Sequence, residues 1–206
     1  MENTGQILTD IQVDALKEVG NISMCHATTS LSQMVNKRIE ISLPELKFVP
    51  LVEVVELVKN KKPVVGIVLG MNDEVKGYML LMFTHDTAKN LAKLVMESSS
   101  GGEDFDEMEI SALQEIANIM CGSYISTLSD FLGIKIGLTI PAYIFDMSEA
   151  IVDQIVGMMS QDVNEVLFID TEFYIDKEKV DGDILIFTES ESMSKMLGAV
   201  ERILNR

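Results

Sequence analysis

DALKEVGNI, residues 14–22, recurs as SALQEIANI at residues 111–119, and this echo decides how the chain is read. The same offset of 97 residues pairs Leu31 with Leu128, Ser32 with Ser129, Ile39 with Ile136 and Pro44 with Pro141. Past the first proline the copies drift. LMFTHD at 81–86 matches LIFTES at 185–190 at an offset of 104, so the second copy is seven residues longer. The chain reads as an internal duplication with halves near 1–100 and 101–206, forming one α+β domain over 1–206 with pseudo-twofold symmetry.

Each half opens with a long amphipathic helix, predicted over 9–36 and 107–132. Asp10 or Thr9 suits the cap of the first. Asp106 followed by Glu109 predicts a capping box for the second. Strand-like runs follow: RIEISL, LKFVPLVEVV, VVGIVLGM and GYMLLMFT in the first half, and IKIGLTI, AYIFDM, EVLFIDTEFYI and DILIFT in the second. A short helix closes each half, at 86–97 and 190–203. SSSGGEDFD, 98–106, reads as a flexible connection. The run VVGIVLG is apolar on both faces, which predicts strands covered by helices on at least one side. The expected architecture is two long motif helices packed on a β-sheet.

Composition narrows the function. Sixteen Lys and Arg stand against 33 Asp and Glu, a net charge of −17. Such a surface repels nucleic-acid phosphates and anionic lipid, so neither nucleic acid nor membrane is an expected partner. Cys25 and Cys121 form no disulfide framework or zinc spacing, and no metal site of the chain's own is expected. The N-terminus carries no basic-then-apolar signal, no apolar run reaches the ~20 residues of a membrane span, and a reducing cytoplasm is the expected compartment.

The two long helices carry the candidate chemistry. With Leu16 at zero and about 100° per residue, Val19, Gly20, Ser23, Ala27, Ser30, Leu31 and Met34 form the predicted buried stripe. Asp14, Glu18 and Asn21 point the other way. In the second helix Leu113, Ile116, Ala117, Met120, Tyr124, Leu128 and Phe131 form the stripe, and Ser111, Glu115 and Asn118 take the outward angles. Ile22 and Ile119 flank the polar trios. Solvated helix surface is the plain account of one such trio. Two copies weigh against it: Glu and Asn persist in register while neighbours diverge, Lys17 to Gln114 and Cys25 to Gly122. Asn is a mediocre mid-helix residue, so nothing local favours keeping it twice. A Glu and an Asn at i and i+3 lie side by side. The Glu can pair with a cation, and the Asn carboxamide, both donor and acceptor, can hold and aim a water. Neither is a nucleophile, so the pair makes chemical sense inserted into another protein's active site.

The pattern [DS]-x3-E-x2-N-x22-P occurs twice, as Asp14-Glu18-Asn21-Pro44 and as Ser111-Glu115-Asn118-Pro141. On this double motif the chain resembles the CheC/CheX/FliY family of chemotaxis phosphatases over essentially its whole length. Two intact motifs without an added flagellar switch domain resemble the CheC branch. The resemblance implies hydrolysis of the phospho-aspartate of the response regulator CheY. It implies that Glu18 and Glu115 salt-bridge the regulator's active-site Lys, and that Asn21 and Asn118 orient the attacking water. Asp14, Ser111, Pro44 and Pro141 then support the motif. The regulator supplies the Asp and the Mg²⁺, and the receptor deamidase CheD is implied as a second partner. The differing surroundings of the two pairs predict unequal activity. A non-catalytic adaptor for CheD or a phosphorylated regulator is the alternative.

Other features carry less. The 14 methionines read as core filler. His26 reads as a surface residue flanking the first pair. Cys25 is predicted outward near Asn21, with no basic neighbour to favour its thiolate. DKEKVDGD, 176–183, fails the calcium-loop spacing and reads as a charged hairpin turn.

Overall fold

In the computed structural model, residues 10–58, 62–96, 102, 104–159, 163, 165–175 and 178–204 are described. The elements are α1 (Asp10–Val35), β1 (Ile39–Pro50), α2 (Leu51–Val58), β2 (Val64–Asp73), β3 (Gly77–Thr84), α3 (His85–Met96), α4 (Glu107–Leu132), β4 (Ile136–Leu138), β5 (Ala142–Asp146), α5 (Ser148–Met158), β6 (Glu165–Ile175), β7 (Glu178–Thr188) and α6 (Ser190–Leu204). The fold is α+β, with an all-antiparallel seven-stranded sheet in the order β1-β6-β7-β3-β2-β4 and β5 also on β2.

The order of elements in the first half recurs in the second, with the strand after the long helix split into β4 and β5. The sheet reads alike from either edge. β1-β6-β7 faces β3-β2-β4/β5, so the strand after each long helix pairs with a strand of the other half. Each half completes the other's sheet.

Alternate side chains of β2 feed two cores, which is why its sequence is apolar throughout. Val65, Ile67, Leu69 and Met71 meet α1, α3, α4 and α6 on one face. Val64 and Val68 meet α2 and α5 on the other, through Val54, Val58, Ile151, Val152 and Ile155. The sheet is therefore covered on both sides. Each fully buried Leu, Ile or Val contributes about 1.5–3 kcal/mol through its removal from water.

Several expectations need correction. LKFVPLVEVV is not one strand: β1 ends at Pro50, which has no N–H for the ladder, and Leu51–Val58 is helical, burying Val54 and Val58 one turn apart. The α5 helix had no counterpart in the reading; its signal was Ile151, Val152 and Ile155 at helical spacing. In α1 the buried stripe runs through Met24 and Val35, while Ser30 and Met34 are exposed. At DKEKVDGD, β6 and β7 pair antiparallel from Ile175↔Glu178 onward, so the expected hairpin is there, but 178–183 belong to β7 rather than to its turn, and residues 176 and 177 lie outside the described residues. The predicted cap Thr9 and most of the 98–106 connection also lie outside them. Phe105, at its C-terminal end, is docked against His85, Tyr143 and Phe145. The Asp106/Glu109 capping box is present in both directions, at 2.8 and 3.0 Å.

Candidate functional site

The motif helices α1 and α4 pack against each other and against the same core. Leu16, Val19 and Leu31 anchor α1; Leu113, Ile116, Ala117, Met120, Tyr124 and Leu128 anchor α4. That burial fixes the opposite faces outward. Asp14, Glu18 and Asn21 are exposed on α1, and Ser111, Glu115 and Asn118 on α4. Ile22 stands 45% exposed beside Asn21, whereas Ile119 is partly buried against the core. The Ser111 hydroxyl donates to Glu107 O at 2.8 Å, so it secures its own helix rather than Glu115.

The second pair lies in a groove of about 460 Å³. One wall is the polar face of α4, with Ser111, Gln114, Glu115 and Asn118; the other is Leu138, Thr139, Ile140 and Pro141. This second wall is a break in the strand. β4 pairs with β2 as far as Leu138↔Met71, and β5 resumes at Ala142↔Val68. Thr139 closes the gap: its N–H donates to Gly70 O at 2.9 Å, and its hydroxyl accepts from Gly70 N–H at 2.8 Å. Pro141 has no N–H to give, so the ladder cannot continue through it.

The same irregularity occurs at the other proline. Ser42 pairs with Glu172 and Glu45 with Asp170, so one extra residue of β1 bulges out at Leu43–Pro44. Both motif prolines thus sit in a bulge of the strand that follows a motif helix.

Gln114, Leu138, Thr139 and Ile140 are functional candidates that the sequence reading missed, whereas Pro141 was already named. Gln114 Nε2 donates to Pro141 O at 2.7 Å, tying α4 to the strand break. The divergence of Lys17 to Gln114 is therefore not a neutral surface change. Leu138, Thr139 and Ile140 immediately precede the motif proline, and that adjacency was the available signal.

Cys121 is fully buried, and burial pushes its thiol up to about 12, so it offers no thiolate. Cys25 is exposed, one turn after Asn21. Among the described residues, no group of three or more His, Cys, Asp or Glu side chains is placed to hold a metal ion. Nor is any helix of the described residues long and apolar enough to cross a membrane.

Two exposed Glu/Asn pairs thus stand on paired helices above a sheet whose halves complete each other. A family model described as chemotaxis phosphatase CheX matches residues 65–154, which include the second motif, and one described as a CheC-like family matches residues 11–47, which include the first. Both matched models are of the CheC/CheX/FliY family, which the chain resembles in both motif regions. The chain is 26% identical over 199 residues to "CheY-P phosphatase CheC" of Bacillus subtilis, a member of the same family, covering 92% of this chain and 93% of that protein. Its fold is similar to that of Thermotoga maritima FliY, with a TM-score of 0.78 at 24% identity, covering 96% and 99% of the two chains. It is also similar to a chain of the CheX-CheY-BeF3-Mg²⁺ complex from Borrelia burgdorferi, with a TM-score of 0.50 at 18% identity, covering 82% and 96%.

Proposed function

We propose that this chain hydrolyses the phospho-aspartate of the response regulator CheY by inserting a helix-borne Glu/Asn pair into the regulator's active site. The observation that carries the reading is the outward, in-register placement of Glu18/Asn21 and Glu115/Asn118 on two rigid helices. The name of the Bacillus subtilis relative supports the substrate.

The chemistry asked of this chain is positioning. Glu18 or Glu115 pairs with a lysine of the regulator and sets the helix in register. The Asn one turn on accepts from and donates to a water, holding its oxygen in line with the phosphorus. The water oxygen bonds to phosphorus as the bond to the aspartyl oxygen breaks, giving the free carboxylate and hydrogen phosphate; one of the water's protons stays on the phosphate and the other leaves to solvent. The regulator brings its own Mg²⁺ and phosphorylated Asp. Phosphoryl transfer rewards such positioning, and one well-placed polar group lowers the barrier by about 3 kcal/mol.

The test is the decay of phosphorylated CheY in Mg²⁺, with and without the chain. Faster decay that persists in Asn21→Ala or Asn118→Ala but vanishes in the double variant is expected. Undiminished activity in a folded double variant would overturn the water-orienting role. Tight binding without faster decay would make the chain an adaptor.

The same reading places the chain in the cytoplasm with its regulator and keeps CheD as a proposed second partner. Titration of purified CheD against this chain tests that partnership.

A further inference from the structure

The strand break that faces Glu115 and Asn118 is a built feature. Thr139 and Gly70 exchange two hydrogen bonds across it, at 2.9 and 2.8 Å, and Gln114 clamps Pro141 to α4 at 2.7 Å. Gly70 permits the approach, because a Cβ there would lie 3.1 Å from Thr139 Cγ2. The effect of this bracing is to hold Ile140 outward, 88% exposed, on the wall opposite the Glu/Asn pair.

An exposed Ile alone needs no explanation. Ile140 is different in three respects. Its backbone is braced on both sides. It shares its wall with Leu138 and Pro141, so that the groove has one polar and one apolar side. And a protein that reaches Asn118 from solvent passes over it, because both line one groove.

We propose that Ile140 is the docking contact of the second site, a positioning residue that seats against an apolar patch beside the phosphorylated aspartate of the regulator. This rests on the phosphatase reading and names how that site holds its substrate. Covering Ile140 removes its side chain from water and shuts water out around the Glu115 ion pair, which strengthens that pair. Ile140 touches no reacting atom. Its contribution therefore appears in substrate binding and leaves the chemical step alone.

The test isolates the second site with Asn21→Ala and measures steady-state hydrolysis of phosphorylated CheY, adding Ile140→Asp or Ile140→Leu. The expected result is a rise in KM of about tenfold or more for Ile140→Asp, with kcat within about twofold, and a near-native KM for Ile140→Leu. Circular dichroism and the unchanged kcat confirm that the variant is folded, as its exposure leads one to expect. Unchanged KM in Ile140→Asp overturns the proposal, as does equal loss of kcat. An inert Asn21→Ala background beside an active native chain also overturns it, because the second site then binds no productive substrate. A native chain that does not speed the decay at all refutes the phosphatase reading itself, which is a separate result.

Discussion

Lys89 Nζ lies 2.8 Å from Glu109 Oε2, and the Glu109 side chain is 1% exposed. This ion pair joins α3 to the first turn of α4, six residues before Glu115. Glu109 also accepts from Asp106 N–H, so one carboxylate both caps the motif helix and moors it. The corresponding residue of α1 is Gln12, whose amide donates to Glu201 of α6 at 3.3 Å. One motif helix is anchored by an ion pair, the other by an amide.

Glu109→Gln should cost about 3 kcal/mol, the scale for breaking a buried pair. Burial raises the Glu109 pKa, but the Lys89 hydrogen bond, the Asp106 N–H and the Lys89 charge outweigh it and hold the carboxyl below its ordinary value. A lowered folded pKa means the stabilisation is complete above the unfolded value of about 4.3 and is lost as pH falls through the folded one. Urea titrations should therefore show a gap between native and variant at pH 7 that narrows at more acidic pH. A gap independent of pH would remove the ionic account.

Glu18→Gln with Glu115→Gln should raise KM for phosphorylated CheY about tenfold and flatten its salt dependence. Gln keeps the shape and removes the charge proposed to meet the regulator's lysine. Steady-state kinetics at two ionic strengths check this; a salt slope equal to the native one contradicts it.

Thr139→Val leaves Gly70 N–H without its hydroxyl acceptor and should cost about 1 kcal/mol. The wall it braces faces only the second pair. In an Asn21→Ala background the variant should lose regulator affinity, whereas in an Asn118→Ala background it should behave like its parent. Equal losses in both would show that Thr139 acts on global stability alone.

Residues 1–100 expressed alone should not fold cooperatively. β1 would lack β6, and β2 would lack β4 and β5, leaving long apolar strand edges unpaired. Mixing the two halves should restore structure detectable by circular dichroism. A monomeric, cooperatively melting 1–100 fragment would contradict the interlocked sheet.

Much of this was legible in the sequence because the signals were local. The 3.6-residue spacing of Leu113, Ile116, Met120, Tyr124 and Leu128 fixed α4 and turned Glu115 and Asn118 outward. Asp106 and Glu109 marked its start three residues apart. The short helix α2 escaped because its eight residues, four of them Val, read equally well as strand, and α5 because only four of its eleven residues are Ile or Val, set among polar and small ones. The stripe of α1 missed Met24 and Val35 and took in Ser30 and Met34 because neighbours of α1 from three other helices and β1 set which side chains are covered.

By itself the sequence determined the two long helices, the register of their Glu/Asn pairs and the repeat that joins them, since each follows from periodicity along a few turns. Only the tertiary structure decided that the strand after each motif helix pairs with the opposite half, and that Pro141 breaks its strand where Gln114 can hold it against α4. Those relations depend on hydrogen bonds between residues tens of positions apart, and no local pattern encodes which strand will be waiting.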